Sequence, residues 1–301
     1  MNIERAIDFA RPRRMRCGQC NYEMLVDHAW MDRRERGREL CPACGIDCTV
    51  EDRARPTYEP EDLVLHDENV ASVYWYHTST IADWPQHDFD PAAGLTQETI
   101  EQMTRSLLQG GFDRWVARQK SKALHVGTYE AAIENMFRRM ANQPQGNKQF
   151  YLFRVELEPE ARIELGVHRE PTNWVGDAHP EEFLSSGNQV YRYINEHEDP
   201  GGISLALTRD AIKAVTGIPV PLRNVPRADT LSEAGIESLD KFIMASGIPA
   251  RLQEQLEGAI RRWGHDNEDA VTRGFVEAVL ELILNPRLVL ERLDEIAPRT
   301  L

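Results

Sequence analysis

The sequence predicts an α+β protein in three parts: a small cysteine-rich module, an α+β body and a helical C-terminal region. Three observations predict it. All five cysteines fall between Cys17 and Cys48. The middle of the chain reads as strands separated by only a few helices, without regular βαβ alternation. Beyond Pro226 the apolar spacing becomes helical to the end. The expected boundaries are residues 1–58, 59–226 and 227–301.

At 301 residues the chain has room for two domains and a further small module. Its 41% hydrophobic and 28% charged residues are ordinary for a soluble globular protein. No run of about 18 apolar residues exists, so no membrane span is expected. Met1–Arg16 lacks the apolar stretch of a signal peptide, and a cytoplasmic protein is the expectation. The net charge of −14 argues against indiscriminate binding to nucleic acid or anionic lipid. That charge is uneven. Residues 1–58 hold 11 Arg against 10 Asp and Glu, a balance of +1, which leaves −15 for the rest. Arg11, Arg13, Arg14 and Arg16 form a basic arm, read either as solvated surface or as a contact with nucleic acid or an acidic partner.

Cys17-Gly-Gln-Cys20 and Cys41-Pro-Ala-Cys44 are two CxxC pairs separated by 20 residues. That spacing suits a tetrahedral four-cysteine zinc ribbon, each pair supplying two thiolates from one tight turn. Gly18 and Gly45 are expected to relax the turns. The segment has little apolar material, so metal binding is expected to supply much of its stability. An odd cysteine count in a cytosolic chain argues against disulfides, and two pairs argue against a redox CxxC. Cys48 reads as a small core residue, with replacement of Cys44 as a ligand the alternative. A closed site of four cysteines keeps no open coordination position and is structural or a recognition platform.

Residues 52–68, rich in Pro and acid, read as a linker. Val70–Thr80 reads as a strand, followed by an irregular loop to Gly94. Thr96 can cap a helix to about Gln109, which Gly110-Gly111 breaks. Ala123–Thr128 is a short strand leading into a helix over Tyr129–Met140, with Ile133, Met136, Phe137 and Met140 inward. Phe150–Leu157 is the clearest strand, and Arg162–Leu165 and Tyr191–Asn195 follow. Asp199-Pro-Gly-Gly202 is a strong turn before a strand over Ile203–Leu207. Glu196 and Glu198 stand two residues apart before that turn. Extended backbone would set both on one face, roughly 7 Å apart, and paired like charges are a cost unless they are used. No glycine-rich dinucleotide fingerprint and no P-loop is present. His125, His168 and His179 show no partner spacing.

The tail offers four amphipathic helices, Leu231–Ala245, Pro249–Trp263, Glu268–Leu284 and Pro286–Ile296. They read as a bundle packed on the body or as a module for dimerisation or partner docking.

In chain order, Tyr76-His77-Thr78-Ser79, Leu124-His-Val-Gly-Thr-Tyr-Glu-Ala-Ala132 and Asn195-Glu-His-Glu-Asp-Pro-Gly-Gly-Ile-Ser204 resemble three motifs of the ADP-ribosyltransferase superfamily. That superfamily comprises NAD-consuming toxins and their bacterial and phage relatives, and the similarity covers roughly residues 70–216. The resemblance implies a split β-sheet domain that takes NAD as substrate. It implies transfer of ADP-ribose to a macromolecular acceptor, protein or nucleic acid, with release of nicotinamide. NAD glycohydrolysis, or a non-catalytic zinc-ribbon binding protein on a degenerate transferase fold, are the alternatives.

It also implies roles. His77 and Thr78 would hold a ribose of NAD, and Gly127 and Thr128 would bring backbone close to nicotinamide. Tyr129 would stack on the nicotinamide ring, with Tyr74 and Tyr76 as other candidates. Glu198 would be the catalytic carboxylate on the nicotinamide ribose, and Glu196 would engage the acceptor. A first motif with His beside a third motif with Glu-x-Glu mixes two branches of the superfamily and leaves the acceptor open. Read without the resemblance, Gly127-Thr128 is equally an entry turn with Thr128 as N-cap.

Overall fold

The computed structural model describes residues 2–35, 37, 39–49, 53–86, 89–93, 95–106, 111–142, 149–171, 178–220, 248–266 and 273–301. The front module is a three-stranded antiparallel sheet built from Arg13–Cys17 (β1), Glu23–Val26 (β2) and Ala54–Thr57 (β3), in the order β2-β1-β3, with helix His28–Glu35 (α1) between β2 and β3. Alternate residues of β1 point inward, so Met15 and Cys17 pack with Met24, Val26, Trp30, Met31 and Cys48 in a core of its own. The expected linker is therefore corrected at its start: Ala54–Thr57 closes this sheet as an edge strand. Pro56 disguises it, and an edge is where a strand tolerates a missing N–H. The rest of the span carries a 3₁₀ turn, Leu63–Leu65, capped by Asp62, and a single helical turn, Asp67–Val70 (α2).

The body contains Trp75–Ser79 (β4), Gln97–Ser106 (α3), Gly111–Lys120 (α4), Leu124–Val126 (β5), Tyr129–Asn142 (α5), Phe150–Leu157 (β6), His168–Arg169 (β7), Pro180–Phe183 (α6), Val190–Ile194 (β8), Ile203–Leu207 (β9) and Ile212–Val220 (β10). Among the described residues three helices follow, Ala250–Asp266 (α7), Arg273–Leu284 (α8) and Pro286–Asp294 (α9), and then Arg299–Thr300 (β11). The protein is thus mixed α/β, with two four-stranded sheets in the order β11-β10-β6-β4 and β5-β9-β8-β7. Among the described strands of these sheets every pairing is antiparallel except β7 with β8. The sheets meet where Tyr76 and Gly127 exchange two backbone hydrogen bonds of 2.9 Å.

Several elements depart from expectation. The strand expected over Val70–Thr80 begins only at Trp75, because α2 ends at Val70 and its carbonyl accepts the Trp75 indole N–H at 2.9 Å. Arg162–Leu165 forms no strand, only an Ile163–Val190 bridge. There the Glu164 carboxylate accepts from Ser185 and Asn188 and holds a loop instead. The helix α4 and the long strand β10 have no counterpart among the expected elements.

The expected helix over Leu231–Ala245 lies outside the described residues. The remaining tail shares a core with α5: Leu252, Leu256 and Ile260 pack with Ile133, Met136 and Phe137. Both chain ends join the body. Ile3 bridges Val73, and β11 extends the sheet through β10. Among the described residues, no helix is long and apolar enough to cross a membrane.

Candidate active-site cleft and metal centre

A cleft opens where the two sheets meet. His77 and Thr78 reach it from β4, His125 from β5, and Gly127 from the turn into α5. Asn135 lines it from α5, Tyr193 from the end of β8, Glu198 from the following turn and Ser204 from β9. It encloses about 100 Å³, room for one ring-sized group, with an open mouth for anything longer.

The His77 ring stacks on Trp84 with centroids 4.0 Å apart, and its Nδ1 lies 2.8 Å from the His125 carbonyl oxygen. A carbonyl only accepts, so Nδ1 carries the proton and Nε2 is left as an acceptor. Burial pushes the His77 imidazole down to about 3, with nearby Arg139 acting in the same direction. His125, 3.2 Å from the Tyr193 hydroxyl through Nδ1, is likewise held by burial at about 4. Both rings are neutral near pH 7.

The acidic turn differs from expectation. It is not extended: the Asn195 side-chain oxygen accepts from the backbone N–H groups of His197 (3.0 Å), Glu198 (2.8 Å) and Asp199 (3.1 Å). This curl separates the two glutamates, so the single face that period-2 spacing implied does not exist. Glu198, 8% exposed, lines the cleft. Its Oε1 accepts from Asn135 at 3.0 Å and meets the Arg138 guanidinium at 2.6 Å. Among the described residues both contacts fall on Oε1, which leaves Oε2 to meet a ligand. Glu196 turns to other cavities, beside the metal module, and pairs with Arg169 at 2.6 Å.

Next to Glu198 stands Asp199, fully buried, with Arg11 at 2.7 Å, Arg13 at 3.0 Å and the Thr128 hydroxyl at 2.7 Å. Burial alone would raise this carboxyl, but the two guanidiniums and the hydroxyl hold it below its ordinary value. Asp199 also explains Gly202, since a Cβ there would come within 2.1 Å of the Asp199 carboxylate. Every arginine of the basic arm thus has an acidic partner inside this chain, Asp199 serving both Arg11 and Arg13. Arg14 pairs with Glu59 and Arg16 with Glu23.

The other proposed ligand-binding residues divide. Thr78 is buried, with its hydroxyl donating to the Ala132 carbonyl. Thr128 caps α5 by accepting from the Ala131 N–H at 3.0 Å. Tyr129 does not line the cleft: it is 2% exposed, packs edge-on to Phe9 and Tyr76, and donates its hydroxyl to the Leu282 carbonyl. Two tyrosines line the cleft: Tyr76, one of the expected candidates, and Tyr193, which strand pattern alone does not single out; Tyr74 does not line it. Asn195 does carry a signal, because Asn before a Gly-Gly turn is an Asx-turn pattern. Asn135, Arg138 and the Arg11–Asp199 contact, 188 residues apart in sequence, carry no local signal.

In the front module Cys17, Cys20, Cys41 and Cys44 converge, all four sulfurs lying within 4.8 Å of one another. The Cys17–Cys44 and Cys20–Cys41 sulfurs are 3.7 Å apart. Zn–S bonds of about 2.3 Å place tetrahedral sulfurs about 3.8 Å apart, so the cluster fits a structural metal such as zinc. The two CxxC turns match bond for bond. The Cys17 carbonyl accepts from Asn21 and its N–H donates to Tyr22; Cys41 does the same with Gly45 and Ile46. Asn21 and Gly45, at φ +60° and +70°, supply the left-handed residue, so the role expected of Gly18 falls to Asn21. Cys48 is buried in the module core, with its thiol pushed up to about 11 by burial, and does not join the four.

No protein-family model, curated protein or solved structure matches this chain.

Proposed function

We propose that the chain cleaves NAD at the bond between ribose and nicotinamide and transfers ADP-ribose to a macromolecular acceptor. One observation carries the reading: His77, Gly127 and Glu198, from three distant motifs, line a single cleft. Bond cleavage sends the electron pair to the positively charged pyridinium nitrogen, so nicotinamide leaves neutral and needs no general acid. Positive charge then develops on the ribose C1′ in an oxocarbenium-like state. A fixed, mostly buried carboxylate is worth most against such charge, and Asn135 and Arg138 fix Glu198. Neutral His77 and His125 offer hydrogen bonds to sugar hydroxyls without opposing that charge. Tyr193 walls the ring-sized space. The acceptor nucleophile attacks C1′ and gives up its proton to bulk water as the new bond forms.

Hydrolysis, with water as the acceptor, is favoured as second reading by one observation: Glu196 lies away from the cleft and is held by Arg169. Free nicotinamide, measured on purified protein with and without cell lysate, divides the two. Release that needs lysate supports transfer, and release without it supports hydrolysis. Glu198→Gln is expected to lower the rate at least about 100-fold while sparing NAD binding. Wild-type protein that neither binds NAD nor releases nicotinamide would sink both.

A further inference from the structure

Arg251 opens the C-terminal helical region and reaches the acidic turn. It stands in the first turn of α7, where Leu252 beside it is 2% exposed and packs, with Leu256 and Ile260, on Ile133, Met136 and Phe137 of α5. Helix stability does not select an arginine there. The positive end of the helix dipole disfavours a cation, and α7 has no acidic residue in its first turn to offset it. The side chain is nonetheless only 17% exposed.

Its guanidinium joins two elements. It lies 3.0 Å from the carboxyl of Glu134, a side chain 7% exposed on α5. It also donates to the backbone carbonyls of His197 and Glu198. Within the turn, the carbonyls of Asn195 and Asp199 already accept from the N–H groups of Gly201 and Gly202. Among the described residues no backbone N–H reaches the carbonyls of His197 and Glu198, and Arg251 satisfies them. The turn is therefore bracketed. Its N–H groups at 197, 198 and 199 converge on the Asn195 side-chain oxygen, and two of its carbonyls face the guanidinium. The Glu198 carboxylate is held separately, by Asn135 and Arg138. Glu134, Asn135 and Arg138 all belong to α5, with Glu134 and Arg138 one turn apart on the same face. One helix thus fixes Glu198 at both ends, directly at the carboxylate and through Arg251 at the main chain.

We propose that Arg251 is a positioning residue of the NAD site: it fixes the main chain that carries Glu198, so that the carboxylate meets the ribose in one place. The role in catalysis rests on the NAD reading; the clamp on the turn does not. A carboxylate stabilises developing charge best when it is already in place, and a displacement of about 1 Å can cost about 100-fold in rate. Arg251 lines no part of the cleft, so it acts through Glu198. The site then extends beyond the three motifs into the helical tail.

The test replaces the pair, Arg251→Met with Glu134→Met, in the full-length, metal-loaded chain. Exchanging a buried charged pair for apolar side chains of similar size leaves a fold near its original stability, so the clamp is lost without the fold. Arg251→Gln is the second variant. Amide exchange at residues 197–199 is expected to quicken about tenfold in both, with residues 203–207 unchanged. Nicotinamide release is expected to fall about 10- to 100-fold in kcat, with KM for NAD within about twofold of wild type. Combined with Glu198→Gln, neither should slow the residual rate further, because a residue that acts through Glu198 has nothing left to position. Val289→Ala, which opens the same tail core, should lower the melting temperature and leave kcat unchanged. Exchange at 197–199 equal to wild type, a rise in KM with kcat unchanged, a further loss of rate on top of Glu198→Gln, or an equal loss of kcat in Val289→Ala would overturn the proposal. Wild-type protein that releases no nicotinamide removes the NAD reading and the positioning role with it, and exchange then still decides the clamp.

Discussion

The interaction on which the acidic turn depends is the one around Asp199. Its carboxylate is fully buried, Arg13 is 2% exposed, and Arg11 completes the cluster. A buried ion cluster gives little net stability over an apolar replacement, but removing one member leaves the others unpaired away from water. Asp199→Asn is thus expected to cost about 3–5 kcal/mol in urea unfolding, where a loss below about 1 kcal/mol would contradict this account. The same cluster marks what the sequence reveals and what it hides. His77, Gly127 and Glu198 are legible because each sits in a short motif. Asp199 reads only as a turn residue, and Tyr193 only as a strand former, since their partners lie on other segments. Tyr129 shows the converse. Its place beside Gly127-Thr128 suggests a ligand contact, but the first residue of α5 turns its ring into the apolar core.

At the level of elements, periodicity decides what can be read. Phe150–Leu157 and α5 stand out, the first as an unbroken β-forming run buried along nearly its whole length, the second as a helix with one broad apolar face. β3 is masked by Pro56 and its acidic surroundings, and β10 by the Thr216, Gly217 and Pro219 that interrupt its apolar residues. The metal module links these elements to the cleft, because β1 carries both Cys17 and the Arg13 that meets Asp199. Metal removal should therefore reach beyond the module. Chelation at neutral pH is expected to abolish amide-exchange protection over residues 13–57 and to lower it over residues 195–202. Full protection in both after verified metal loss would contradict this coupling.

For the whole molecule, the three expected parts are less separate than composition suggests. The N-terminal segment crosses the body, where Glu4 accepts from the Tyr76 hydroxyl and pairs with Arg154. The tail helix α7 shares its core with α5, and β11 returns to the sheet. The proposed NAD cleft lies where the two four-stranded sheets meet, with Arg138 held against its Glu198. The claim at the centre is that this cleft holds the nicotinamide end of NAD against Glu198. A crystal structure with a non-cleavable NAD analogue tests it most directly. The account predicts nicotinamide against Tyr193, with a hydroxyl of its ribose within hydrogen-bond distance of Glu198 Oε2. An analogue bound elsewhere, or a cleft still empty at saturating analogue, would contradict it.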